Sequence, residues 1–300
     1  MKIREAEKFV VEALKEIYDE NEAHNVVGLI LEDCTGFSLT KLRLNKEYNL
    51  SVEQKEKLKQ QVQRLQDHEP VQYILKKAWF YGMELYVDHN VLIPRPETEE
   101  LVDWIVKDIK AAGLPVFHRA ISQADRTTQL KVVDVCTGSG CIALALKKAM
   151  PVAEVWGCDV SEEALNVARR NGAALDIRVD FQGTNFLDEA QQKFLPTVDV
   201  IVSNPPYVPL HDKHSMRPNV LNYEPHTALF VPNDDALVFY KAIALFAKKR
   251  LYRKGIIYLE IHEELSEEVA SLFKSEGYNS VEIRRDMQGK NRMVKVVSGE

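Results

Sequence analysis

The sequence predicts a doubly wound α/β sheet preceded by a small helical domain. Three features predict it: helical apolar spacing from Ile3 to about Leu75, strand–helix alternation after Gln129, and a glycine-bearing turn at the first strand end of that alternation. A chain of 300 residues suits two domains and a core that buries roughly three quarters of the unfolded surface. Hydrophobic residues at 45% and charged residues at 28% exclude a disordered, collagen-like or disulfide-framework chain. Lys plus Arg minus Asp plus Glu is 39 − 45 = −6, a balance that disfavours a dedicated DNA binder. The cysteines are Cys34, Cys136, Cys141 and Cys158, too few for a disulfide framework, and a reduced, cytoplasmic setting is expected. Met1 to Leu14 has no continuous apolar core of a signal peptide, and no uncharged apolar run approaches ~18 residues, so neither export nor a membrane span is expected.

The elements follow in order. Ala6, Val10, Ala13, Leu14 and Ile17 recur at helical spacing and open a small bundle. Ser51, with Glu53 behind it, caps a solvent-facing helix to Leu65, and Pro70 ends the run soon after. From Trp79 to Ile93 the period changes. Phe80, Met83, Leu85 and Val87 lead through Asp88-His89-Asn90 into Val91-Leu92-Ile93, the pattern of a β-hairpin turning at Asp88–Asn90. The predicted domains are therefore a helical one at 1–78, a hairpin linker at 79–93 and a larger one at 94–300.

Pro94-Arg95-Pro96 is a stiff stop before a helix reaching about Ala111, and Gly113 to Gln129 reads as a loop or insertion. Strands are predicted at Lys131–Val135, Ala153–Cys158, Asp176–Phe181, Val198–Ser203, Gly255–Ile261, Ser280–Arg285 and Met293–Val297. Helices are predicted to begin near Gly140, Ser161, Asp235 and Glu263.

The first strand ends in Asp134-Val135-Cys136-Thr137-Gly138-Ser139-Gly140 and passes into a helix. Gly138 and Gly140 permit a tight turn and a close ligand approach at a helix N-terminus. The second strand ends at Asp159, nineteen residues after Gly140, where a carboxylate can accept both hydroxyl hydrogens of a ribose. Taken alone, these residues fit an NAD site equally well, and a bare strand-to-helix turn with an ordinary cap is the plainer alternative. Cys136, Cys141 and Cys158 lack the short paired spacing and histidine partners of a zinc site and read as small buried hydrophobes; no metal is expected.

The fourth strand ends in Ser203-Asn204-Pro205-Pro206-Tyr207. The ends of strands one and four flank the switch point of such a sheet, so Asn204 is expected to face the Gly138–Gly140 loop. Consecutive prolines carry no N–H and hold the backbone extended. The Asn204 side-chain oxygen and the Pro205 carbonyl can then each accept one hydrogen of an –NH₂ group, with Tyr207 as a flat wall.

Asn-Pro-Pro-Tyr behind such a strand and turn resembles S-adenosylmethionine-dependent methyltransferases acting on planar amide or amino nitrogens. Glu69 to Leu75, Phe80-Tyr81-Gly82, Val91 to Glu99, Tyr223-Glu224-Pro225, Ala228-Leu229, Phe239-Tyr240 and Asp286-x-x-Gly289-x-x-Arg292 extend the likeness over almost the whole chain. Together they resemble the release-factor glutamine methyltransferases (PrmC/HemK).

The resemblance implies a Rossmann-like, seven-stranded methyltransferase sheet. It implies that Asp134, Cys136, Thr137, Gly138, Ser139, Gly140 and Asp159 hold S-adenosylmethionine, with Asn185 and Phe186 beside its adenine. Asn204, also counted among the cofactor contacts, would hold the target glutamine with Pro205, Pro206 and Tyr207. It implies class 1 peptide-chain release factors as protein partners, methylated on the glutamine of a Gly-Gly-Gln segment by a cytoplasmic monomer that needs no membrane and no direct nucleic-acid specificity. The family commonly has Gly at the place of Cys136, and Asp-Trp or similar at Asn185-Phe186. A Cys at 136 is tolerated where its φ stays below zero, so the departure bears on cofactor affinity rather than reaction type.

Three alternatives stay open: an N6-adenine nucleic-acid methyltransferase, an NAD-dependent oxidoreductase, and a non-catalytic interaction module. The first calls for a basic, aromatic-bearing target region, where the chain offers only short clusters such as Lys248-Lys249-Arg250 and Arg284-Arg285. His211 and His214 could ligate a metal but are expected to be solvent-exposed. Glu97 and Glu99 either line the pocket or simply enrich the first turn of a helix.

Overall fold

The computed structural model describes residues 1–111 and 129–299, so the stretch expected to be a loop at Gly113–Gln129 lies outside the described residues except for Gln129. Two compact units result: Met1–Lys77 with Met216–Tyr223, and Ala78–Ser215 with the chain from Glu224 onward.

The first unit holds α1 (Ile3–Leu14), α2 (Glu20–Thr35), α3 (Leu39–Leu44), α4 (Val52–Gln66) and α5 (Val71–Leu75). Ile3, Ala6, Val10 and Leu14 line the buried stripe of α1, and Val27, Ile30, Leu31, Leu58, Val62 and Leu65 meet it from α2 and α4. Asp19 caps α2 by accepting from the Glu22 N–H at 2.8 Å, and Gly36 at φ 70° ends that helix. At the start of α4 the capping box is closed by Gln54 rather than Glu53, which instead accepts the Ser51 hydroxyl at 2.7 Å.

The second unit opens with a hairpin of β1 (Ala78–Phe80) and β2 (Met83–Leu85). The expected turn at Asp88–Asn90 is not the hairpin turn. Tyr81 and Gly82, both at positive φ (48° and 67°), form a two-residue loop whose twist matches the strands, and Val91–Ile93 is not a strand. The sequence pattern failed here because each strand is only three residues long.

The main elements are α6 (Pro96–Ala111), β3 (Lys131–Val135), α7 (Cys141–Ala149), β4 (Glu154–Asp159), α8 (Glu162–Ala174), β5 (Asp180–Gly183), α9 (Glu189–Gln192) and β6 (Val198–Ser203). The short β7 (Val208–Pro209) and β8 (Phe230–Val231) pair with each other, and between them the chain enters the first unit as α10 (Pro218–Tyr223). The unit closes with α11 (Val238–Arg250), β9 (Leu251–Glu260), α12 (Ser266–Ser275), β10 (Ser280–Arg285) and β11 (Asn291–Val297).

Seven strands form one sheet in the order β10-β11-β9-β6-β3-β4-β5, with β11 antiparallel to its neighbours and the others parallel. Both faces are buried, as the period-2 alternation requires. Val132, Val200, Val202 and Tyr258 face one core with α6 and α7, while Val133, Val135, Ile201, Ile257 and Leu259 face the other with α11 and α12. From β3 the chain winds outward to β4 and β5, then returns to β6 on the other side of β3. The crevice therefore opens between the carboxyl ends of β3 and β6.

Four strands differ from expectation: β4 and β11 by one or two residues at their ends, β5 and β9 by more. β5 begins at Asp180, not Asp176, which sits at φ 53° in the turn after α8. β9 begins at Leu251, four residues before Gly255, because its polar start Arg253-Lys254 carries no apolar alternation.

Candidate active site

The loop after β3 is built from its own backbone. Thr137 donates its N–H to the Cys158 carbonyl at 2.9 Å and its hydroxyl to Asp134 at 2.6 Å. Gly140 donates to the Thr137 carbonyl at 2.8 Å, and the Ala143 N–H reaches the same Asp134 oxygen at 3.2 Å. Gly140, at φ 79°, has no room for a side chain, since a Cβ would lie 3.0 Å from Ala168 and from Phe181. Asp134 and Gly140 thus shape the loop from beneath and do not line the cavity, whereas Cys136, Thr137, Gly138 and Ser139 do.

Cys136 lies at φ 59°, so the condition under which a Cys is tolerated there, a negative φ, is not met. Continuing the loop from β3 demands the left-handed region, which costs a residue with a Cβ about 1–2 kcal/mol. This is the physical reason a glycine suits the position. Burial pushes the thiols of Cys136 and Cys158 up and that of Cys141 up to about 12, so these sulfurs behave as packed neutral groups.

Asp159, at the end of β4, accepts from the Gly138 N–H at 2.9 Å and the Ser161 N–H at 3.0 Å, and burial raises its carboxyl pKa. Each oxygen retains lone pairs for a further donor, as a ribose diol supplies. Past Thr184, the expected Asn185 and Phe186 both line the cavity, together with Leu187. Asn185 is exposed and accepts from the Leu187 N–H at 3.1 Å. Phe186 touches the cavity but is 3% exposed, its ring edge-on to Phe246 with centroids 5.2 Å apart. The exposed apolar surface there comes from Val160 and Leu187, 65% and 45% exposed, which sequence reasoning missed. The signal for Val160 was an apolar residue directly after the polar end of β4; Leu187, four residues past the end of β5, carried none.

Across the crevice, Ser203 donates its hydroxyl to the Val135 carbonyl at 2.6 Å and ties β6 to β3. Asn204 and Pro206 line the same cavity as Gly138, while Pro205 is buried and does not line it. Tyr207 also does not line it: its hydroxyl donates to Glu260 at 3.2 Å and its ring meets His262 edge-on. Asn204 donates through Nδ2 to Thr98 Oγ1 at 3.2 Å, and Thr98 donates to Glu260 at 2.6 Å. Glu260 was also missed. Its signal was a lone acid closing the apolar run Ile256-Ile257-Tyr258-Leu259 at the functional end of the sheet.

Arg95 lines the cavity and donates to the buried Glu224 at 2.5 Å, so Pro94-Arg95-Pro96 and Tyr223-Glu224-Pro225 meet at one ion pair. Glu97 and Glu99 lie in the first turn of α6 and leave the lining to Thr98 between them. His211 and His214 are exposed, and His211 bonds to Asn233. Among the described residues no group of three His, Cys, Asp or Glu stands ready for a metal, and no helix is long and apolar enough to cross a membrane.

The cavity encloses about 360 Å³, within the range of small-molecule sites. Ser139, on its wall, carries a buried hydroxyl with no hydrogen-bond partner. An orphaned hydroxyl, the Asp159 carboxylate and apolar surface from Val160 and Leu187 in one cavity fit a ligand with a polar tail, a ribose and a flat base. S-adenosylmethionine has those parts.

Comparison with known proteins adds to this geometry. Residues 5–75 match the family model described as the PrmC N-terminal domain, and residues 116–223 match the Methyltransferase small domain. The chain is 38% identical over 289 residues to a release factor glutamine methyltransferase of Flavobacterium psychrophilum, covering 95% of each chain. It is 37% identical to that of Bacteroides thetaiotaomicron, covering 95% of this chain and 96% of the relative. Among solved structures, the hMettl16 catalytic domain in complex with an RNA hairpin shares the fold at a TM-score of 0.53 and 18% identity, over 73% of this chain and 76% of that one.

Proposed function

The chain belongs to the release factor glutamine methyltransferase family, and on that premise we propose how its own residues methylate the Gly-Gly-Gln glutamine of class 1 peptide-chain release factors. The observation that carries the reading is that Asn204 and Pro206 line the same cavity as the Thr137–Ser139 loop. Bound S-adenosylmethionine supplies a sulfonium methyl group. Ser139 and Asp159 hold its polar parts, and Val160, Phe186 and Leu187 receive the base.

An amide nitrogen is a poor nucleophile because its lone pair is delocalised into the carbonyl. Asn204 Oδ1, on the cavity wall, accepts one of its N–H bonds, and the Pro205 carbonyl is assigned the other although Pro205 itself lies off the lining; the two oxygens fix its direction and favour the positive charge that develops as it is alkylated. The alkylated nitrogen loses one proton to water, so no side chain need act as general base. Tyr207, anchored on Glu260, stiffens the segment rather than walling the substrate. The helical unit is assigned to gripping the release factor away from the reacting atoms, by a monomer in the cytoplasm.

The adenine-methylating alternative shares the Asn-Pro-Pro-Tyr chemistry, and the relatives' names favour glutamine. Mass spectrometry of release factor incubated with enzyme and S-adenosylmethionine should find one added methyl on the Gly-Gly-Gln glutamine. Asn204→Ala should lose most of that transfer while keeping its fold. An unmethylated glutamine, or full turnover by Asn204→Ala, would contradict the reading.

A further inference from the structure

Glu260 lies at the carboxyl end of β9 and is 2% exposed. Its two carboxylate oxygens divide their work: Oε2 accepts the Thr98 hydroxyl at 2.6 Å, and Oε1 accepts the Tyr207 hydroxyl at 3.2 Å. Burial raises the Glu260 carboxyl pKa, while the Thr98 and Tyr207 hydroxyls and the charge of Arg292 favour its ionised, accepting form; Arg292 is itself bonded to Asp286 at 3.4 Å and to the Ile261 carbonyl at 3.3 Å.

The direction of each hydrogen bond has a consequence for Asn204. A hydroxyl has one hydrogen, and a carboxylate can only accept, so Thr98 spends its hydrogen on Glu260. Toward Asn204 the same Thr98 oxygen can only accept, and Asn204 must present Nδ2, as it does at 3.2 Å. The two ends of an asparagine amide have nearly the same shape, and hydrogen bonding alone decides which way it faces. With Nδ2 on Thr98, Oδ1 is left as the end available to a ligand. Were the amide reversed, an –NH₂ group would meet the –NH₂ of a substrate glutamine.

We propose that Glu260 is a positioning residue: acting through Thr98, it fixes the facing of the Asn204 amide and so makes the site select an –NH₂ group over a carboxylate. A glutamate in place of the target glutamine brings two acceptors to the two acceptors Asn204 Oδ1 and Pro205 O, and is rejected. The inference rests on the methyltransferase reading above.

The test compares wild type with Thr98→Val, which deletes the relaying hydroxyl at nearly equal volume, Thr98→Ser, which restores it, and Glu260→Gln, whose amide can donate to Thr98 and reverse the relay. Turnover is followed on release factor, and binding is measured by calorimetry for release factor carrying either Gly-Gly-Gln or Gly-Gly-Glu. Thr98→Val should lose about 10- to 100-fold in kcat, the order expected for one lost hydrogen bond to a charged group, with KM for S-adenosylmethionine unchanged. Its preference for Gln over Glu should fall about tenfold or more, and Thr98→Ser should recover both.

A Thr98→Val enzyme that keeps the Gln preference overturns the proposal even if its turnover falls, because loss of packing alone does not reverse an amide. If Thr98→Val does not fold, Glu260→Gln decides by the same preference: reduced supports the relay, unchanged overturns it. A wild-type enzyme that leaves release factor unmethylated fails the functional reading, whereas equal behaviour of wild type and variants fails only the relay.

Discussion

Asp134 lies beneath the Cys136–Gly140 loop with one carboxylate oxygen taken by Thr137 and Ala143 and the other buried without a partner. Burial pushes its carboxyl from 3.8 up to about 7, more than the two hydrogen bonds lower it. Between those pH values the folded chain holds a proton that the unfolded chain has released. The stabilisation is full below 3.8 and is lost as pH rises through about 7, the reverse of an ion-paired carboxylate. Asp134→Asn, neutral at every pH, should flatten the fall in stability between pH 4 and 7, as followed by chemical denaturation. An unchanged slope would show that Asp134 stays ionised. The residue was legible as important, but as a cofactor contact, because spacing reports that an acid ends a strand and not whether it points up or down. Cys136 shows the same limit from the other side: its identity was visible, and its positive φ was not.

Whole elements were legible where both faces of a strand are buried. β3 and β6, runs built mainly of Val and Ile, occupy the expected spans; the exposed edge strand β10 does so too, because Val281 and Ile283 alternate with charged residues and give a period-2 signal of their own. The sheet-edge strand β5, with Asp180 and Gly183 exposed, offered no such run and was misplaced. β4 carries a glycine in its interior, and the structure gives the reason. A Cβ at Gly157 would stand 2.8 Å from the Phe181 ring on β5 and 2.8 Å from the Thr137 hydroxyl. That hydroxyl is the one bonded to Asp134, so β4 supports the cofactor loop by leaving it space. Gly157→Ala should therefore destabilise by about 1–3 kcal/mol and weaken S-adenosylmethionine binding together. Denaturation and calorimetry would measure the two, and a stable variant with unaltered binding would show that the loop has slack.

On the scale of the molecule, the chain leaves the catalytic unit at Ser215, contributes Met216–Tyr223 to the helical unit, where the Tyr223 hydroxyl donates to the Asp67 carbonyl at 2.7 Å, and returns at Glu224. Nothing in the pattern of residues 205–225 foretold that excursion. If the helical unit grips the release factor, deleting residues 1–75 should cost most of the turnover on intact release factor, with circular dichroism checking that the rest stays folded. A folded truncation with unchanged turnover would contradict the gripping role. The sequence by itself determined the doubly wound sheet, the crevice between strands one and four, and the place of Asn204 at that crevice, because these depend on alternation, chain order and backbone restrictions local to a few residues. Only the tertiary structure decided that Glu260 reaches Asn204 through Thr98 and that Arg95 is held by Glu224. Those partners stand 162, 106 and 129 residues apart in the chain, and their pairing depends on where packed elements bring side chains together, which no local spacing encodes.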